Sequence, residues 1–198
     1  MSREERIKES FKDHVAKITQ FAKYDVNADE DAKIDIGIEV LTWKKPESSN
    51  YMVKYIVSGN TLCVYGDLGE AIYQWSQNIT LDWLATLDLS YFKGKCQASE
   101  VGRDFREWDE NTAIKYLKDM EKQEYFEWSK LEEEGGTGSL YDARDWEEWL
   151  RENGSEVFGE DYWDWAFEIG YRANTRCVYH FIGLQMAMEQ INKNAQTV

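Results

Sequence analysis

Two hydrophobic periodicities follow each other at the start of the chain. Over residues 2–24 apolar side chains recur every three or four positions between charged ones, which predicts an amphipathic helix. Ser2 and Glu5 have the spacing of a capping box at the start of that helix. Over residues 33–43 Ile and Val alternate with polar residues, and this period of two predicts a strand with one buried face.

Three short apolar runs follow, rich in Val, Ile, Tyr and Trp and separated by Gly-containing turns. They cover residues 51–57, 61–65 and 71–75, with Gly59-Asn60 and Gly66-Asp67-Leu68-Gly69 between them. Such runs between turn residues are typical of consecutive β-hairpins. Together with the preceding strand, they predict a β-meander, an antiparallel sheet of about four strands over residues 33–76.

The remaining two-thirds of the chain has mainly helical periodicity. Helices are predicted over residues 78–87, 109–132 and 139–153, and residues 88–95 are predicted to form a short helix or a turn. A Gly-rich linker is expected at residues 135–138, and Asn153-Gly154 is expected to end the helix before it. The C-terminal helix, residues 174–193, is apolar around much of its circumference and is predicted to lie centrally against the sheet. The expected fold class is α+β, in a single domain spanning residues 1–198.

Charge is concentrated in one third of the sequence. The chain has a formal net charge of −15, and its acidic region, residues 104–168, contains 21 acidic against 7 basic side chains. This field disfavours direct binding to nucleic acid or to anionic membranes, and it attracts proteins with basic surfaces. Nine Trp residues are scattered through a chain that is 15% aromatic, which indicates a globular protein.

The N-terminal residues and the cysteines both indicate a cytoplasmic protein. No apolar stretch of membrane-spanning length occurs, and no apolar region of a signal peptide follows Met1. Cys63, Cys96 and Cys177 form no Cys-x-x-Cys spacing, so we expect reduced, buried thiols and neither a disulfide framework nor a zinc site.

Motifs for catalysis or metal binding are incomplete or missing. The chain has no nucleophile elbow, no phosphate-binding loop and no His-Glu-x-x-His motif. Residues 25–36 begin like a calcium-binding loop, but Glu30 replaces the required Gly and Ile36 the required Glu, which favours a solvated acidic loop. His14 lies among charged residues and His180 in an apolar helix, where a structural role is expected. The sequence therefore predicts a protein that is not an enzyme and has no cofactor or metal.

Tryptophans interleaved with carboxylates make the acidic region the first candidate site. Trp146 and Trp149 have core spacing, whereas Trp163 and Trp165, two positions apart, cannot both point inward. Acidic and aromatic side chains together can grip Arg and Lys through charge and cation–π contacts. The candidate protein-binding residues are Glu132, Glu133, Glu134, Asp145, Glu147, Glu148, Glu160, Asp161, Trp163 and Asp164.

A second candidate site is the predicted sheet. Its aromatic residues could enclose a nucleotide or another small ligand, with Asp67 as a carboxylate in a Gly-rich turn, although Asp and Gly are also the residues that tight hairpins require. The residues of this alternative are Tyr51, Tyr65, Asp67, Tyr73 and Trp75. A metal-dependent hydrolase built from Asp67 and distant carboxylates is the third and weakest hypothesis.

Three segments occur in a fixed order along the chain. They are Leu62-Cys-Val-Tyr-Gly-Asp-Leu-Gly69 with Ile72-Tyr73, Tyr91-Phe-Lys-Gly-Lys-Cys-Gln-Ala-Ser99, and Tyr179-His-Phe-Ile182. In this order they resemble a family of small proteins encoded by tailed phages and prophages. The resemblance implies a phage source and action in the host cytoplasm, and it favours an anti-defence inhibitor of the anti-CRISPR or anti-restriction type. The expected partner is a host defence protein with a basic surface, and self-association stays open.

Overall fold

The fold is described from a computed structural model, for residues 1–23, 35–100 and 105–196. Residues 24–34 lie outside these ranges, and they include most of the segment that begins like a calcium-binding loop. Contacts divide the chain into two compact units. We call Met1–Phe105 with Asn174–Val198 the sheet unit and Arg106–Ala173 the acidic unit. That the chain forms one domain stays a prediction.

The predicted N-terminal helix is present but is much shorter than expected. Helix α1 is Arg3–Ser10, and the predicted capping box of Ser2 and Glu5 begins it. Strand β1, Val15–Lys23, then occupies the part of residues 2–24 that was predicted to continue the helix. Apolar spacing of three and four fitted a helix, but Val15 and Ile18 are β-branched, and pairing along the whole of β1 with the next strand outweighs the helical pattern.

The sheet is antiparallel, as predicted, and has six strands instead of about four. Each strand pairs with its neighbours in chain order. The strands after β1 are β2 Asp35–Lys44, β3 Val53–Ser58, β4 Thr61–Gly66, β5 Ala71–Gln74 and β6 Cys96–Ser99. Strands β2 to β5 are the predicted ones, and β1 and β6 were missed.

The two faces of the sheet have different surroundings. On the inner face, Leu41, Tyr55, Leu62 and Tyr73 are fully buried. Successive strand residues point to opposite faces, so their neighbours form what we call the outer face. Members of the outer face, identified from the strand register, are Val15, Lys17, Phe21, Ile38, Val40, Thr42, Lys44, Lys54, Ile56, Cys63, Tyr65 and Ile72.

Three helices pack around the inner face. They are α2 Leu81–Ala85, α3 Leu89–Lys93 and α8 Thr175–Ala195. The rings of Phe92 and Phe181 lie 5.4 Å apart, and the Tyr55 hydroxyl donates a hydrogen bond to the His180 carbonyl oxygen at 2.8 Å. Helix α8 contacts α1, α2, α3 and the first three strands, which confirms the predicted central C-terminal helix.

Helix α8 also reaches the edge strand of the sheet. The side-chain amide of Gln190 accepts the backbone N–H of Ala16 at 2.8 Å and donates to the carbonyl oxygen of His14 at 3.2 Å. One residue of α8 therefore satisfies both a donor and an acceptor at the start of β1.

The acidic unit is helical apart from a short ribbon. The ribbon pairs β7, Arg106–Trp108, with β8, Tyr171–Ala173. Its helices are α4 Glu110–Glu121, α5 Trp128–Glu133, α6 Gly136–Ser139 and α7 Ala143–Phe158, and two 3₁₀ turns follow at Glu160–Asp164 and Ala166–Glu168. Trp146, Leu117, Leu131 and Leu150 are among its buried core residues.

Three sequence predictions in the acidic unit are wrong. The helix expected over residues 109–132 is broken between α4 and α5. The expected linker at residues 135–138 is mostly helix α6, in which Gly136 packs against Leu131 and Trp149 where a Cβ atom would overlap both side chains. Helix α7 continues past Gly154, since that glycine makes room for the ring of Tyr162. Both glycines serve close packing and not chain reversal.

Candidate protein-binding site

Helix α7 presents a row of carboxylates on one side. Asp145, Glu148, Glu152 and Glu156 are three or four residues apart, so a helix brings them onto one stripe about 16 Å long. Trp146, Trp149, Leu150 and Val157 on the same helix are buried, and they turn this stripe away from the core. We call these four residues the acidic stripe.

Pairing along α7 leaves much of this negative charge available. Arg144 bonds to Glu148 at 3.3 Å and Arg151 bonds to Glu147 at 3.2 Å, both between exposed groups whose pairs contribute little free energy. The Tyr141 hydroxyl donates to Asp145 at 2.6 Å, and that carboxylate raises the pKa of Tyr141. Of the residues described, none forms a salt bridge with Glu152 or Glu156.

The stripe leads into a groove of about 850 Å³ between the α4–α5 connection and the end of α7. Carboxylates, aromatic rings and one lysine line it, and we call it the acidic groove. Its charged and aromatic members are Glu121, Glu124, Tyr125, Phe126, Glu127, Trp128, Lys130, Glu156 and Phe158. The excess of carboxylates over lysine gives the groove a negative potential.

Packing and hydrogen bonds fix the aromatic wall of the groove. The rings of Phe126 and Phe158 meet edge to face at 5.1 Å. The backbone N–H of Trp128 donates to Glu121, and its indole N–H donates to Glu132 at 2.9 Å. Tyr125, by contrast, is 66% exposed. A cationic side chain entering the groove would meet anchored rings and solvated carboxylates together.

A second exposed aromatic group follows α7. Trp163 is 58% exposed and stacks on Phe167 at 5.3 Å, whereas Trp165 is partly buried and meets Phe158 at 5.2 Å. This confirms that the two tryptophans point differently. Trp146 and Trp149 are buried and stacked at 5.1 Å, as predicted for core residues.

The predicted protein-binding residues are thus distributed over three elements. Glu132 joins the groove through Trp128, while Glu133 and Glu134 are exposed at the end of α5. Asp145, Glu147 and Glu148 belong to α7, and Glu160, Asp161, Trp163 and Asp164 belong to the 3₁₀ turn that follows it. The Ser155 hydroxyl contacts Glu160 at 3.3 Å, which places the start of that turn beside α7.

Several residues of the acidic stripe and the acidic groove were missed by the sequence interpretation. Glu152 and Glu156 could have been found from their spacing of four after Glu148. Glu124 and Glu127 could not, because the groove depends on the break between α4 and α5. At that break Glu124 adopts a positive φ of 64°, which no pattern of residues in the sequence predicts.

The residues of the small-ligand alternative do not surround one space. Tyr73 and Trp75 are buried on the inner face, whereas Tyr65 is on the outer face beneath the Lys54 ammonium at 5.4 Å. Tyr51 stacks on Tyr179 at 5.7 Å. The Asp67 carboxylate accepts the Tyr51 N–H at 2.8 Å, so it has a structural partner at this turn.

His180 lies in the core of the sheet unit. Its Nδ1 is 3.5 Å from the Tyr73 hydroxyl, and burial lowers its pKa to about 4, so the ring is neutral at pH 7. Within the described ranges, no group of three or more His, Cys, Asp and Glu side chains is arranged to hold a metal ion. Cys96 and Cys177 are buried thiols, but Cys63 is partly exposed on the outer face, contrary to expectation.

Comparison of the chain with family models, curated proteins and solved structures finds no match. In the described part of the chain, no helix has both the length and the apolar character needed to cross a membrane.

Proposed function

We propose that this protein is a non-enzymatic binding protein whose acidic unit docks on a basic surface of another protein. The observation that carries the proposal is the acidic groove, where carboxylates and fixed aromatic rings line the same space. The acidic unit has 20 acidic and 8 basic side chains, so most of the net charge of −15 belongs to this third of the chain. A one-sided field of this kind accelerates encounter with a basic partner.

Arg and Lys are the side chains that fit the groove. A cation within about 6 Å of the face of Trp or Tyr gains roughly 0.5–2 kcal/mol, and a carboxylate beside the ring adds a charge-assisted hydrogen bond. Tyr125 supplies the exposed ring, and Glu124, Glu127 and Glu156 supply the carboxylates. The ring of Trp128 forms part of the wall and already has the Lys118 ammonium 5.7 Å from its centre. The exposed Trp163 is a further contact available to the same partner.

The partner that we favour is a host defence protein, such as a CRISPR or restriction nuclease, with the protein acting in the host cytoplasm. The resemblance of three segments to phage and prophage proteins supports this choice. The acidic stripe adds a physical reason, since it repeats a carboxylate about every 5.5 Å of helix axis, against a phosphate every ~3.4 Å along one DNA strand. A nucleic-acid-binding groove on the partner would therefore meet a row of negative charges that resembles a DNA strand but is sparser.

The experiment begins with capture of partners from host cells and continues with the purified partner. We expect affinity to fall as salt rises, because screening weakens contacts between exposed charges. The triple variant Glu124→Lys, Glu127→Lys, Glu156→Lys should bind at least ~100-fold more weakly, which corresponds to about 3 kcal/mol.

The matched control reverses three exposed carboxylates of the sheet unit, Glu4→Lys, Glu47→Lys and Glu70→Lys. It changes the net charge by the same amount and should retain most of the affinity. Equal losses in the two variants would reduce the effect to net charge, and unaltered binding by the groove variant would place the site elsewhere. Displacement of nucleic acid from the partner, followed by fluorescence anisotropy, separates DNA-like competition from binding at another surface.

A further inference from the structure

A second groove, of opposite character, lies on the outer face of the sheet unit. It has a volume of about 520 Å³ and is formed by β1, β2, the following loop and β3. Its lining residues are Val15, Lys17, Thr42, Lys44, Pro46, Met52 and Lys54. We call it the lysine groove.

The strand register places the three lysines around one threonine. Lys17 and Lys54 are the cross-strand neighbours of Thr42 on either side, and Lys44 follows Thr42 by two residues on the same face. With strands ~4.8 Å apart, the Cα atoms of Lys17 and Lys54 are about 10 Å from each other. Lysine side chains of this reach can bring three ammonium groups onto one bound anion.

These lysines have little counter-charge beside them. Elsewhere in the chain, Lys12, Lys45, Lys122 and Lys193 form salt bridges with carboxylates. Across the described ranges, by contrast, Lys17, Lys44 and Lys54 form none, and Lys54 instead lies over the ring of Tyr65. Their outer-face neighbours along the strands are uncharged, including Val40, Ile56 and Cys63. Among the described residues, the strands that form this groove thus place no carboxylate next to the three lysines on the outer face.

The floor of the groove is apolar. Val15 is 50% exposed, and Met52 and Pro46 provide further hydrocarbon surface between the ammonium groups. A single carboxylate would leave two of the three ammonium groups without a counter-ion, and an inorganic anion alone would leave the floor in water. The best match is an anion with several negative charges and an attached flat, weakly polar body.

We propose that the lysine groove binds an organic polyphosphate of the nucleoside di- and triphosphate class. The phosphates contact Lys17, Lys44 and Lys54, the Thr42 hydroxyl donates to a phosphate oxygen, and the base lies on Val15, Pro46 and Met52. Binding takes place against the net charge of −15, which repels polyanions at long range. We therefore expect a dissociation constant on the order of 0.1 mM at low salt.

Calorimetric titration of the full chain tests the proposal, with three probes in Mg²⁺-free buffer of low ionic strength. The probes are ATP, inorganic tripolyphosphate and adenosine. ATP should bind about tenfold more tightly than tripolyphosphate, because only ATP covers the apolar floor, and adenosine should bind most weakly, because it lacks the charges. Equal affinity for ATP and tripolyphosphate would overturn the assignment of an organic ligand, and so would ATP binding no better than adenosine.

Variants locate the site. Lys17→Gln with Lys44→Gln and Lys54→Gln should weaken ATP binding at least tenfold. The control, Lys8→Gln with Lys93→Gln and Lys95→Gln, makes the same change in net charge in other parts of the sheet unit and should bind like the parent chain. Unchanged binding by the groove variant, or an equal loss in the control, would overturn the proposal. The variant Val15→Asp keeps all three groove lysines. It should also bind ATP more weakly, because the new carboxylate repels the ligand from the floor of the groove.

Discussion

The Nε2 atom of His180, on the C-terminal helix, lies 3.2 Å from the carbonyl oxygen of Leu68 in the Gly66-Asp67-Leu68-Gly69 turn. Tyr73, which contacts the same imidazole, packs its ring 4.4 Å from that of Phe92. The Gly66–Gly69 turn, α3 and α8 therefore meet in one buried cluster beneath the sheet.

The buried His180 predicts acid-sensitive stability. An unfolded chain binds this proton near pH 6.5, but the folded chain binds it only near pH 4, so protonation favours unfolding between these values. We expect His180 to remove about 2 kcal/mol of unfolding free energy between pH 7.5 and pH 5. Urea denaturation across this range measures the effect. In His180→Asn the decline should be shallower, and an unchanged decline would assign the proton to another group.

His14 predicts a stabilising substitution. It is buried between Phe11 and Trp43, at ring distances of 5.0 and 5.4 Å, and neither of its nitrogens has a hydrogen-bond partner among the residues described. Burial lowers its pKa, and the nearby backbone of Tyr51 and Asn50 opposes this shift without making a hydrogen bond of good geometry. His14→Phe removes two unsatisfied polar atoms and keeps the ring, so it should stabilise the chain by roughly 1–2 kcal/mol. Thermal unfolding at pH 7.5 tests this, and a lower melting temperature would contradict it.

Two glycines make a matched pair for testing the turn. Gly66 has a φ of 145°, and a Cβ atom there would overlap the carbonyl oxygen of Met52. Gly66→Ala should destabilise the chain by about 2 kcal/mol or more. Gly138 has open space around its Cα and lies in helix α6, so Gly138→Ala should be neutral or stabilise by up to ~1 kcal/mol. Denaturation of both variants by urea would compare them, and equal effects would contradict the role assigned to Gly66.

The three thiols should differ in reactivity. Cys177 is fully buried, which raises its pKa to about 12, whereas Cys63 is partly exposed on the outer face. Ellman's reagent at pH 8 should therefore modify about one thiol per native chain, and Cys63→Ser should abolish the fast reaction. Fast modification of Cys63→Ser would mean that another cysteine is accessible.

Sequence patterns predicted those elements in which the spacing of apolar residues matches the spacing of buried positions. Strands β2 to β5 and helix α8 were found because alternation or a broad apolar surface coincided with the observed inner face. Strand β1 was misread because its inward residues Ala16 and Ile18 are only partly buried and its outward Phe21 is also apolar. Ile18 and Phe21 therefore fit a helical stripe as well as a strand. Strand β6 is short and carries a polar Gln97 and Ser99, which gives it no apolar run to detect.

The negative charge of the candidate site could be predicted from the sequence, but the shape of its groove could not. Counting carboxylates located the acidic region, and residue spacing assigned Trp146 and Trp149 to the core without deciding which of Trp163 and Trp165 is exposed. The groove itself depends on the break between α4 and α5, where Glu124 has a positive φ and Phe126 packs against Phe158. The lysine groove was missed because Lys17, Lys44 and Lys54 are far apart in sequence and meet only through strand pairing.

The contact of Gln190 with the start of β1 has a consequence for chains that meet at high concentration. An edge strand offers unpaired N–H and C=O groups to any other strand, and this is a common route to edge-to-edge aggregation. Gln190 already bonds to the backbone N–H of Ala16 and the carbonyl oxygen of His14, so a strand from another chain cannot pair with β1 at that end. The C-terminal helix thus blocks pairing at this edge of the sheet as well as packing against the sheet's inner face.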